Sequence, residues 1–127
     1  MPRSLPRPTD AELAILRVLW DLGPATVRQV HEALSEVRAT GYTTTLKLMQ
    51  IMAEKKLVKR DESARTHIYE ARLARDETQR QLVSDLMDRA FGGSASALVL
   101  QALRSGSASA DELAQIEQLI DTYRGRK

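Results

Sequence analysis

The chain has 127 residues, of which 43% are hydrophobic and 28% charged, a balance that excludes a disordered or fibrous protein and fits one or two small globular domains. It contains no cysteine, which excludes disulfides, thiolate catalysis and cysteine-based metal sites and suits a reducing compartment. The net charge of +2 falls wholly within Met1–Ala71, a weak basic bias that suits an anionic partner.

The N-terminus has a basic start but no apolar run of the signal-peptide kind, and no stretch approaches the ~20 apolar residues of a membrane span. The expectation is a cytoplasmic protein with no membrane insertion. With aromatic residues at 4%, aliphatic helix packing must supply most of the core.

Met1–Pro8, with three prolines and two arginines, reads as an extended arm. Thr9 and Glu12 then have capping-box spacing, each side chain able to satisfy an orphan backbone donor. Leu13, Leu16, Val18, Leu19 and Trp20 give the first helix its apolar face, with Trp20 expected in the core. Gly23-Pro24 ends it, because glycine accepts the left-handed conformation and proline cannot continue the ladder. Thr26 and Gln29 form a second box, opening a helix to about Leu34 that faces inward through Val27, Val30, Ala33 and Leu34. A loop, Ser35–Tyr42, leads to a third helix predicted from Thr43. Thr45, Leu48, Met49 and Met52 recur there at i, i+3, i+4 and i+7 and should pack inward. The outward side carries Thr43, Thr44, Lys47, Gln50 and Glu54, with Leu46 and Ile51 at its margins. Such short hydroxyls and one cation can meet base edges in a major groove.

Leu57–Arg60 and Thr66–Glu70 read as strands, and the polar Asp61–Arg65 between them is too long for a two-residue hairpin turn. Three helices and a hairpin give the winged helix-turn-helix order. Beyond it, Leu82, Val83, Leu86, Met87, Ala90 and Phe91 mark a helix ended by Gly92-Gly93. Leu98, Val99, Ala102 and Leu103 mark another that stops near Gly106. Ser109 and Glu112 form a third capping box before Leu113, Ile116, Leu119, Ile120 and Tyr123. Three short helices of about 50 residues bury too little surface alone, so the stripe Leu113, Ile116, Ile120 and Tyr123 is expected to pack against a second copy. The fold class is mostly α, with a winged-helix DNA-binding domain over residues 1–71 and a three-helix dimerisation domain over 72–127.

In order, TDAELAILRVLW (Thr9–Trp20), TVRQVHEAL (Thr26–Leu34), YTTTLKLMQIMAEKKLV (Tyr42–Val58), RTHIY (Arg65–Tyr69) and FGGSASALVLQAL (Phe91–Leu103) together resemble the penicillinase-repressor family, the bacterial regulators of beta-lactamase and methicillin-resistance genes and their copper-transport relatives. The resemblance spans Thr9 to Tyr123. It implies a homodimeric repressor that places one winged helix on each half of a palindromic operator in double-stranded DNA, in some members released when a membrane sensor protease triggers cleavage. It sets Thr43, Thr44 and Lys47 on the base- and phosphate-contacting stretch of the recognition helix and Arg65 on the wing arginine. Three departures stand out. Ile51 replaces a basic residue, Gln101-Ala102 stands near the place of the family's Asn-Phe cleavage pair, and the Cys-x-Cys tails of the copper branch are absent.

Two other classes compete. An enzyme would need a nucleophile with its base, a metal cluster or a phosphate-cradling loop. His31 and His67 have no ligand-spaced partners, Gly92-Gly93 lacks the lysine of a P-loop, and the capping-box side chains are committed to backbone donors; neither an enzyme nor a cofactor is expected. A winged helix that binds protein instead of DNA would expose apolar anchors where Thr43, Thr44 and Lys47 stand. The reading is therefore a DNA-binding repressor: Thr43, Thr44 and Lys47 contact bases or nearby phosphates, with Gln50 in support. Arg28, Arg60 and Arg65 contact phosphates, which orient a protein without specifying sequence.

Overall fold

The computed structural model describes residues 7–36 and 39–125. Most of the expected N-terminal arm (1–6) and two positions of the expected Ser35–Tyr42 loop (37 and 38) lie outside the described residues. Among the described residues the order is α1 (Asp10–Leu22), α2 (Val27–Ser35), α3 (Tyr42–Glu54), β1 (Val58–Asp61), β2 (Ile68–Ala71), α4 (Arg75–Ala90), α5 (Ala95–Arg104) and α6 (Ala110–Gly125). The first five elements are a winged helix-turn-helix, and helices make up the rest. The chain divides into two compact units, Met1–Gln81 and Leu82–Lys127.

The caps form where their spacing predicts. Thr9 and Glu12 exchange side-chain and backbone bonds at 3.2 and 2.9 Å, as do Thr26 and Gln29 at 3.1 and 2.9 Å. Gly23, at φ 80°, closes α1 with its N–H on the Leu19 carbonyl, a conformation that side chains with a Cβ resist.

One core fills the first unit. Ile15, Leu16 and Leu19 of α1 meet Val27, Val30 and Leu34 of α2, Met49 and Met52 of α3, then Leu57, Val58 and Tyr69 of the hairpin. Three details differ from expectation. Trp20 lies half-buried at the edge of this core, because its indole N–H needs an acceptor and finds the Leu73 carbonyl at 2.9 Å; a buried donor left unpaired would be costly. The third helix starts at Tyr42, one residue early, with Gly41 as a cap that has no side chain to offer. Both strands begin later than the pattern suggests. Lys56 turns the chain at φ 66° and the Leu57 N–H still bonds back to Met52 O, so pairing opens at Val58 opposite Ala71 and ends at Asp61 opposite Ile68.

Trp20 and Asp21 also hold the segment after the hairpin. Arg75 lies over the Trp20 ring and pairs with Asp21 at 2.6 Å. In the second unit, Gly92 and Gly93 take positive φ after α4, Gly106 does so after α5, and the Ser109–Glu112 box caps α6. No residue of α5 or α6 is buried.

Candidate nucleic-acid interface

The outward face of α3 begins with what packs its inward one. Thr45, Met49 and Met52 are buried, while Leu48, expected among them, is half-buried. With that side fixed, helical spacing sets the rest. Thr43 and Lys47, one turn apart, form the crest, and Gln50 and Glu54 continue it; all four are exposed. Thr44, also exposed, turns toward α1: it lines a small pocket with Leu48, Ala11 and Ala14. Tyr42 and Leu46 form the opposite flank, toward the hairpin, and Gln50 lies between that flank and the crest. Ile51, at 37% exposed, puts an apolar side chain at the margin of this face. Because Gly41 gives α3 no side-chain cap, the N–H groups of its first turn lack the acceptor that Thr9 and Thr26 provide for α1 and α2.

The flank toward the hairpin is the wall of a groove of ≈ 540 Å³, and the structure brings Arg28, Gln50, Arg60 and Arg65 together around it with Thr26, Tyr42 and His67. Among the described residues that line it there is no carboxylate. One connection makes the groove possible. Ala25, just before α2, exchanges two backbone hydrogen bonds with Tyr69 of β2, at 2.9 and 2.7 Å. This bridge fixes the start of α2, and so Arg28, beside the sheet. Arg60 stands directly across from Tyr69 in the register of the hairpin.

The three arginines differ in what holds them. Arg65 is exposed near the end of the loop between the strands. Arg60 pairs with Glu62 at 2.6 Å; a hydrogen bond with the Tyr69 hydroxyl, and then the Glu62 charge, hold its pKa above the ordinary arginine value. A phosphate reaching Arg60 must compete with or join that carboxylate. Arg28 lies 5.5 Å over the ring of Tyr42, which in turn meets His31 edge-on at 5.6 Å. Sequence reasoning assigns nothing to Tyr42 and finds of His67 only that it has no ligand-spaced partner. Their placement depends on the Ala25–Tyr69 bridge, for which no local pattern speaks.

Thr43, Thr44 and Lys47 lie outside the groove lining. The surface is thus a polar ridge along one side of an arginine-lined trough. It offers hydroxyl and ammonium donors at the crest and guanidinium groups to the side. Among the described residues no group of three or more histidine, aspartate or glutamate side chains is placed to hold a metal.

The family model described as penicillinase repressor matches residues 8–122. The chain is 36% identical over 127 residues to proteins named transcriptional regulator BlaI from two Mycobacterium tuberculosis strains, covering 98% of this chain and 92% of theirs. It is 19% identical over 125 residues to the penicillinase repressor of Bacillus licheniformis, covering 98% of both chains.

Proposed function

The chain belongs to the penicillinase repressor family, and from that premise we propose a DNA-binding transcriptional repressor that works as a cytoplasmic homodimer on a palindromic operator. The observation that carries the DNA contact is the exposed crest of α3 beside a groove holding three arginines. A helix with this crest suits the major groove, where hydroxyl and ammonium groups meet base edges, while guanidinium groups to the side suit phosphates. Thr43, Thr44 and Lys47 contact bases or their neighbouring phosphates, Gln50 supports them, and Arg28, Arg60 and Arg65 position the backbone. Residues 1–71 bind DNA and residues 72–127 dimerise, without any catalytic step. Two-fold symmetry presents the same surface twice, which is what a palindrome requires.

Dimerisation is supported by what the second unit leaves uncovered. Leu113, Leu119, Ile120 and Tyr123 of α6 and Val99, Leu100 and Leu103 of α5 are all exposed, and exposed apolar surface, where contiguous, marks an interaction site. Leu113, Ile116, Ile120 and Tyr123 form the seam.

The test is titration of the purified protein against a duplex from its own promoter and a scrambled duplex at several salt concentrations. Affinity for both should fall steeply with salt, because bound phosphates release counterions, and the promoter duplex should bind more tightly by about 10³-fold or more, the lower end of specific recognition. Equal affinity for the two, or none for either, overturns the reading.

Release of repression through a membrane sensor protease is a separate matter. Gln101-Ala102 sits inside α5, and a protease reaches a helical bond only when the helix opens locally. Co-expressed with an induced sensor from a relative that is cleaved at Asn-Phe, this chain should stay full length. A fragment ending near Gln101 would show that the substituted pair is still cut.

A further inference from the structure

Arg28 and Tyr42 come from different helices and meet beside the hairpin. Arg28 is the second residue of α2, whose start is tied to β2 through Ala25 and Tyr69. Tyr42 is the first residue of α3. Tyr42 is 40% exposed, so core packing accounts for only part of its placement. The guanidinium carbon of Arg28 lies 5.5 Å from the ring centroid, over its face. The His31 ring meets Tyr42 nearly perpendicular, at 83° and 5.6 Å between centroids. Among the described residues no group bonds the buried Nδ1 of His31, and the edge-on contact with Tyr42 braces its ring. The contacts His31–Tyr42–Arg28 therefore run from the body of α2 across the start of α3 and back to the first turn of α2.

A guanidinium stacked on an aromatic face keeps its N–H edges free to bind in its own plane. A phosphate takes such an edge in two parallel bonds. An unsupported arginine would lose rotamer freedom on binding, and the ring removes part of that cost beforehand. Arg28 and Tyr42 both line the groove that also holds Arg60 and Arg65. That groove fits an oxyanion with arginine donors on both sides, and beside the polar crest of α3 the oxyanion at hand is a backbone phosphate of the bound duplex.

We propose that Tyr42 is a positioning residue for DNA binding: its ring, braced by His31, carries the Arg28 guanidinium into the groove between α2, α3 and the hairpin, where it takes a backbone phosphate. This rests on the DNA-binding reading and adds to it a residue with no charge of its own. Tyr42 acts through Arg28, so its effect is independent of sequence, and its hydroxyl is dispensable.

The experiment uses the full-length chain and four variants: Tyr42→Leu, Tyr42→Phe, Arg28→Ala and the double variant Tyr42→Leu/Arg28→Ala. Each is titrated against promoter and scrambled duplexes at several salt concentrations, with helical content checked by circular dichroism. Tyr42→Leu should weaken both duplexes alike, about two- to fivefold per half-site, the range for an exposed cation–π contact. It should also flatten the salt slope toward that of Arg28→Ala, by up to about one unit per half-site. Tyr42→Phe keeps the ring and should bind as the parent does. In the Arg28→Ala background, Tyr42→Leu should change affinity less than about 1.7-fold, the lower end of the range within which independent substitutions add. The proposal falls if Tyr42→Phe is as weak as Tyr42→Leu, since the hydroxyl would then be the contact. It falls equally if Tyr42→Leu keeps its full effect without Arg28, or discriminates between the duplexes. Failure of the parent chain to bind either duplex would instead refute the DNA-binding reading, so the two failures are distinct.

Discussion

Lys47 and Arg65 are both exposed cations, yet they stand in different places and should do different work. Lys47 is on the crest of α3, one turn beyond Thr43 and opposite the buried Thr45, Met49 and Met52. From there a side chain can reach base edges. Arg65 is in the loop between the strands and lines the arginine groove, where a phosphate is the nearer partner. Lys47→Ala should therefore cost about 1–3 kcal/mol on the promoter duplex and relax discrimination at one position of each half-site. Arg65→Ala should weaken promoter and scrambled duplexes alike and flatten the salt slope by about one unit for each phosphate it no longer neutralises. The same titrations at several salt concentrations measure both. Should Lys47→Ala weaken the two duplexes equally, Lys47 is a phosphate anchor and base reading falls to Thr43, Thr44 and Gln50. The crest residues were legible in the sequence because helical period alone separates an inward stripe from an outward one. The grouping of Arg28, Arg60 and Arg65 in one groove with Tyr42 was not. It depends on Ala25 bridging to Tyr69, 44 positions away, and on a hairpin register that composition does not encode.

Helix α3 is held at its far end by a pair that joins it to the start of α1. Glu12 is only 2% exposed, accepts the Thr9 N–H at 2.9 Å, and takes Lys55, the residue closing α3, on both carboxylate oxygens at 2.9 and 2.8 Å. The capping-box half of this was legible from spacing. The Lys55 half was not, since 43 positions separate the partners. The same limit explains Trp20, whose apolar bulk predicted the core while its N–H drew it to Leu73, 53 residues on. Burial raises the Glu12 pKa, but the hydrogen bonds from Lys55 and Thr9, with the Lys55 charge, outweigh it and hold the carboxyl below 4.5. A carboxylate lowered in the folded state adds stability that is complete above its unfolded pKa and lost as pH falls through the folded value. The first unit should therefore lose this contribution as pH falls below 4.5. Lys55→Met leaves the buried charge without its partner. Because the lysine head is partly in water, the cost at pH 7 should be modest, about 1–2 kcal/mol. That difference should shrink toward zero once Glu12 is protonated. Urea unfolding at a series of pH values from 7 down through the acid range, followed through Trp20, the single tryptophan, measures it. A difference that stays the same across the whole range would mean that the ion pair is not what Lys55 contributes.

The two compact units are built on opposite terms, and that contrast favours a dimer. In Met1–Gln81 the core is complete within one chain: Ile15, Leu16, Val30, Met49, Met52 and Leu57 are all fully buried. In Leu82–Lys127 the helices repeat apolar residues at the same regular spacing but bury none of them in α5 or α6. Ile120 is 47% exposed and Tyr123 69%. Spacing made the stripes legible in the sequence, whereas no pattern within one chain shows what covers them. A second copy is the covering this reading supplies, and two-fold symmetry would set each stripe against its equivalent. Ile120→Asp would place an unpaired charge in that seam, a change that costs several kcal/mol when the charge cannot reach water. In a single chain the same substitution adds a charge to an exposed position, so the first unit should keep its fold and its Trp20 emission. The expected outcome is a monomer with an intact winged helix that binds one half-site weakly and has lost the gain from engaging two sites at once, about 10²–10⁴-fold. Sedimentation measures the mass, and titration against whole and half operators measures the gain. A dimer of unchanged stability in the variant would remove Ile120 from the seam. Unchanged operator affinity in a true monomer would show that the two halves of the operator are bound independently.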